Sequence, residues 1–167
     1  MPLLEGEIEQ TTLEGKYLIT RAGKMIWVSL ILNMRPTLFT REVLRFFCLM
    51  FENQFIIEIK ELYTRFQGDI SIFNKVTNSK QSTEEIVEDI FHLYLTKPFR
   101  LGSTKLKKLS SNSRKIFLFA KTMVHKTDGE LSLINLFYNV SESFNLTNED
   151  IAEIIFELVQ KKAFTPV

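Results

Sequence analysis

Lys16-Tyr17-Leu18-Ile19-Thr20-Arg21-Ala22-Gly23-Lys24-Met25-Ile26-Trp27-Val28-Ser29-Leu30-Ile31-Leu32 holds two β-rich segments, residues 16–20 and 25–32, joined by a short connection at residues 21–24. β-Branched and aromatic side chains suit a pleated, half-buried surface, so both segments read as strands. The spacing predicts a hairpin in which Gly23 supplies the positive φ of the turn. The second segment is apolar almost throughout, so it is expected to be a central strand covered on both faces, with Trp27 in the core. Upstream, residues 6–12 alternate weakly and make an edge strand, and Leu13-Glu14-Gly15 turns the chain. Downstream, Pro36 ends the meander because proline cannot donate to a strand ladder.

Residues 37–66 place Val43, Leu44, Phe47, Met50, Phe51, Ile57, Leu62 and Phe66 at helical spacing, which predicts one long helix. Thr37 or Thr40 caps its start, and Gly68 closes its end in the left-handed conformation. Phe39, Phe46, Phe55 and Ile56 spread its apolar surface over more than half the circumference. A helix of that kind is expected between the sheet and either a second helix or another subunit. Residues 70–73 are read as a short extended segment, and the polar stretch 74–81 as a loop. Ser82-Thr83-Glu84-Glu85 is a capping box opening a helix over 83–95, which Pro98 stops. Residues 97–112 change character and are read as a linker. Three helices follow, over 113–126, 132–143 and 147–162, with a turn at residues 128–131 and a short extended terminus. The expected class is α+β: a small antiparallel sheet packed on long helices over residues 1–101, then a three-helix unit over residues 102–167.

The chain has 167 residues, with 45% hydrophobic and 25% charged side chains and a net charge of +1, which fits a folded protein whose overall charge favours neither nucleic acid nor membrane. Fifteen phenylalanines make its interior bulky and aromatic. The single cysteine, Cys48, excludes an internal disulfide, and its apolar neighbours read as burial of an inert thiol. Two histidines, His92 and His125, lie far apart in sequence and form no zinc-ligand spacing. The six glycines match neither the dinucleotide fingerprint nor the phosphate loop. No enzyme signature results: no catalytic residue, cofactor or metal ligand is expected. The acidic N-terminus carries no secretory pattern, and the longest apolar run is about eight residues, far short of the roughly twenty a membrane-spanning helix needs. A cytoplasmic protein is the expectation.

One charge feature stands out. Between Asp89 and Asp128 there are nine Lys and Arg residues and no Asp or Glu, with Lys105-Leu106-Lys107-Lys108 at its densest point. Lys105, Lys107, Lys108, Arg114 and Lys115 are therefore candidate contacts for an anionic partner: an acidic protein surface, phosphates, or, peripherally, anionic lipid headgroups. A plain solvated tether is the alternative. Helix 147–162 instead carries Glu149, Asp150, Glu153 and Glu157 ahead of its first lysine, a poor surface for a phosphate-lined groove. Phe156 on that helix is either interior or an exposed aromatic anchor for a partner.

The meander and helix of residues 6–66, with Phe51-Glu52-Asn53-Gln54-Phe55, Gly68-Asp69 and Phe73, resemble the second half of longin and roadblock-type α/β domains, in an archaeal-like form. The sheet here is shorter than in that family, so it is either a reduced version or is completed by dimerisation. Residues 113–167 resemble a winged-helix unit with its wing cut to one strand. The first resemblance implies an adaptor serving a small GTPase or a vesicle-trafficking complex; with no enzyme signature a non-enzymatic role is expected, and the apolar breadth of helix 37–66 leads to the expectation of a homo- or heterodimer. The second implies the rival function, a DNA-binding transcription regulator with an α/β dimerisation or sensor unit.

Overall fold

Glu14 and Gly15 both adopt positive φ, +49° and +78°, and Leu13 pairs directly with Lys16. This is a two-residue turn whose twist matches that of the strands it joins, and it connects β1 (Ile8–Leu13) to β2 (Lys16–Ala22). β3 (Trp27–Leu32) pairs antiparallel with β2, so the sheet order is β1-β2-β3. The architecture is α+β, in a computed structural model that describes residues 3–74, 81–125 and 129–167. It forms two compact units, Met1–Phe91 and His92–Val167.

Within the first unit the central strand is β2, and β3 lies at an edge. Burial along β3 alternates: Val28, Leu30 and Leu32 are half-buried, whereas Trp27, Ser29 and Ile31 are exposed. The apolar run therefore covers two faces of which only one is buried, and Trp27 is not in the core. Gly23 also has a different reason from the expected one. Its φ is not positive; a Cβ there would lie 2.4 Å from Oε1 of Glu52.

The inner sheet face meets α1 (Leu38–Gln54), where Ile19, Leu44 and Cys48 form a buried cluster with Val28, Leu30 and Leu32 packed around it. Thr37 caps α1, its hydroxyl accepting from the Thr40 N–H at 3.0 Å. The expected single helix is interrupted at Phe55, where ψ rises to 24°, and continues as α2 (Ile56–Glu61). Gly68 does take the left-handed conformation, φ +79°. Residues 70–74 are a 3-10 turn, not an extended segment. The second partner of α1 is a helix, α3 (Thr83–Val87), which opens on the expected Ser82–Glu85 capping box. Phe47, Phe51, Phe55, Phe73 and Phe91 pack ring against ring there, with centroids 4.7–5.7 Å apart. The helical path continues through a π-helical segment, Glu88–His92, and α4 (Leu93–Thr96). The loop expected over 74–81 lies mostly outside the described residues.

In the second unit the segment read as a linker is built into the fold. β4 (Phe99–Leu101) pairs antiparallel with β5 (Phe164–Pro166), and Phe99 also bridges Leu131. The division between units accordingly falls at Phe91/His92 and not after residue 101. A three-residue strand is too short to show a period, which is why composition alone suggested a tether. A 3-10 turn (Leu106–Lys108) leads to α5 (Ser111–Val124), followed by α6 (Leu133–Ser143) and α7 (Asn148–Gln160). Helix α7 packs on both α5 and α6. Thr147 caps it through a reciprocal box with Asp150.

Among the described residues of the first unit, Glu52 is the buried carboxylate, 4% exposed. Its Oε1 accepts the N–H groups of Met25 at 2.7 Å and Ile26 at 3.1 Å, fastening the β2–β3 connection to α1. Removing the acceptor leaves two partly buried backbone donors without their partner, so Glu52→Ala is expected to cost about 1–3 kcal/mol. Glu52→Gln, which keeps one carbonyl oxygen, should lose clearly less. Chemical denaturation of both variants checks the order, and equal losses would show that the carboxylate does not hold the turn.

Candidate functional site

Two surfaces have the chemistry of contact sites. On the first unit it is the outer face of the sheet. Paired residues of an antiparallel ladder share a face, and the register places Thr11, Leu18 and Ile31 in one row. Leu13, Trp27 and Ile31 are 65%, 58% and 66% exposed. Leu13, Leu18 and Ile31, with Glu14 and Lys16, line an open depression of about 160 Å³. Sequence reasoning missed this face because it took the whole β3 run as interior. The signal was the exposed-side triplet Trp27, Ser29, Ile31, interleaved with Val28, Leu30 and Leu32.

On the second unit the cationic candidates do come together. Lys105, Lys107 and Lys108 are exposed around the 3-10 turn, and Arg114 and Lys115 are exposed in the first turn of α5. Arg114 holds the turn in place: its Nε donates to the Leu106 carbonyl at 3.2 Å and its Nη2 to the Leu109 carbonyl at 3.4 Å. Lys161 Nζ donates to the Lys108 carbonyl at 3.4 Å. Leu109, 4% exposed, anchors the segment in the interior. The lysines are thus presented by a fastened turn, and the tether reading of residues 105–108 does not hold. Lys126 lies outside the described residues.

Phe156 does not belong with them. It is 2% exposed, and its ring meets Tyr94 edge-on at 4.9 Å. The buried positions of α7 are Ile151, Ala152, Ile155, Phe156 and Leu158, so Ala152 and Phe156 are part of the inward face and not beside it. Of the two readings of Phe156, the structure keeps the interior one. Burial also pushes the Tyr94 hydroxyl up to about 12.

The four carboxylates of α7 divide into two groups. Glu149, Asp150 and Glu153 are exposed in its N-terminal half, where a phosphate-lined groove would be repelled. Glu157 is occupied internally. It accepts from Lys161 one turn on and, at 2.5 Å, from the hydroxyl of Ser113, a fully buried residue of α5. Ser113 is in turn 2.7 Å from the Ser110 hydroxyl that caps α5. One carboxylate therefore joins the end of α7 to the start of α5, beside the lysine turn.

Other titratable groups are accounted for more simply. Burial pushes the Cys48 thiol up to about 11, against the pull of the Arg21 guanidinium and with a further push from Glu52, so it stays protonated and unreactive at neutral pH. His92 Nδ1 lies 2.9 Å from the Thr96 hydroxyl on the exposed surface, and His125 is exposed at the end of α5. Among the described residues, no three His, Cys, Asp or Glu side chains are placed to share a metal ion. No helix among them is long and apolar enough to cross a membrane. Comparison with protein-family models, curated proteins and solved structures finds no match in any of the three.

The Lys161 ammonium, and then the Ser113 hydroxyl, hold the Glu157 carboxyl below its ordinary value of 4.5. Folding therefore favours the ionised form. The stability this contributes is fully present above 4.5 and is lost as pH falls through the lower folded-state value. Glu157→Gln should be less stable than the parent at neutral pH, and the gap should close on acidification through that window. Urea unfolding midpoints measured across it provide the check; a gap that does not depend on pH would contradict the assignment.

Proposed function

We propose that the chain is a non-enzymatic protein-interaction module, an adaptor subunit that takes a protein partner on the outer face of its β1-β2-β3 sheet. The observation that carries the reading is the exposure of Leu13, Trp27 and Ile31 on one side of a sheet whose other side is packed on α1. Large apolar side chains exposed on one face and rimmed by polar residues mark contact sites. The polar edge here, Lys16 and Glu14 at the rim of the depression, matches the apolar centre and wet rim of protein interfaces. The resemblance of residues 6–66 to longin and roadblock-type domains makes a small GTPase or a trafficking-type complex the partner class, and the cytoplasm the place of action. Dimer formation, with a second copy or a different subunit, is part of the same reading.

A photo-crosslinking side chain at position 31, introduced into the full chain in its native cell, tests this. The expected result is one defined crosslinked polypeptide, identified by mass spectrometry, that is absent when the crosslinker sits at the exposed helix position 84. Ile31→Asp should abolish the association measured with the purified partner while leaving the melting temperature close to that of the parent. Crosslinking at position 31 no stronger than at position 84 would overturn the proposal.

A further inference from the structure

The cationic surface of the second unit has a component that its charge alone does not explain. Leu106 sits within the lysine turn and is 36% exposed, and Leu118 on α5 is 46% exposed. Leu118 follows Arg114 and Lys115 by one helical turn and precedes Lys121 by another, so these four share one flank of α5. All of the cations are exposed. Arg114 joins the two leucines' surroundings, because its guanidinium contacts the Leu106 carbonyl. The result is a set of exposed lysines on the turn and on one flank of α5, linked through Arg114, with two exposed aliphatic side chains among them. It draws on a stretch of 38 residues, 90–127, that contains no Asp or Glu. The nearest carboxylate that the hydrogen bonds place beside this turn, Glu157, is already matched by Lys161.

We propose that this patch is a docking surface for an anionic lipid bilayer. Three features favour a bilayer over a folded acidic protein or a nucleic acid. Lysine is depleted in protein–protein interfaces, where arginine and aromatic residues carry the contacts. The one arginine here is committed to backbone carbonyls of its own unit. Strongly hydrated, flexible ammonium groups suit a diffuse layer of negative headgroups, which asks for charge and not for fixed geometry. Exposed leucines between cations gain by entering the boundary between headgroups and acyl chains, whereas a phosphodiester backbone offers them nothing. The turn is fastened by Arg114 and Lys161, so the lysines and leucines need little ordering when they meet the surface.

The test uses the full purified chain and sedimentation with phosphatidylcholine vesicles that contain or lack about 30% phosphatidylserine. Binding is expected only to the anionic vesicles, weakening as salt rises, and soluble phosphoserine should not compete for it. Lys107→Glu/Lys108→Glu should reduce partitioning at least about tenfold, because exposed cations near an anionic surface each contribute measurably. Leu118→Ser should also reduce it, and at high salt the remaining binding should depend on Leu118 more than at low salt. Both changes fall on exposed positions, so the circular dichroism spectrum and melting temperature should match the parent. Absence of binding to the anionic vesicles would overturn the proposal. So would unchanged binding by Leu118→Ser, or preferential binding to poly-glutamate or duplex DNA that ignores Leu118.

Discussion

The backbone of Phe99 exchanges both of its hydrogen bonds with Leu131, at 2.7 and 2.9 Å, while β5 pairs along the other edge of the same short strand. Its side chain is fully buried. Just beyond, the Gly102 N–H donates to the Ala163 carbonyl at 2.8 Å, and a Cβ at Gly102 would lie 2.1 Å from the Lys162 carbonyl oxygen. The chain therefore leaves β4 along a path that only glycine fits closely. It leads into the lysine turn, which Arg114 and Lys161 fasten. A cationic turn that follows an anchored strand carries its flexible lysines on a fastened backbone, and that backbone needs little ordering when it meets a surface.

The first unit depends on a different asymmetry. One sheet face is closed by Leu44 and Cys48 on α1, and the far side of that helix is closed by α3 and the phenylalanine cluster. Part of the apolar width of α1 is thereby used within its own unit, while Leu38, Leu49 and Met50 stay 44%, 40% and 39% exposed. Also uncovered is the other face of the sheet, where Leu13, Trp27 and Ile31 are exposed.

Local signals were the legible part of the sequence. Thr37 and Ser82 read as caps because a cap needs only its own side chain and an N–H three residues on, and both form. The helices and the meander followed from period and turn residues. The readings that failed required knowledge of what lies across space. An apolar strand looks the same whether one or both faces are covered, so β3 was placed at the centre when it is an edge. Gly23 looked like a turn residue because nothing local announces the Glu52 oxygen that it clears. Phe99–Leu101 looked like linker because its partners are about thirty and sixty-five residues away in the chain, and three residues reveal no alternation. For the candidate contacts, the lysines were readable from charge, whereas the exposure of Leu118 and the burial of Phe156 depend on how α5, α6 and α7 face one another.

Residue-resolved amide hydrogen exchange of the full chain tests the anchored strand most directly. The account predicts that the N–H groups of Phe99, Leu131 and Gly102 exchange slowly, with protection comparable to the interior of α7, since their opening requires the second unit to open. Exchange of all three at the rate of an unstructured peptide, with α7 still protected, would show residues 97–112 to be a free tether and would contradict it.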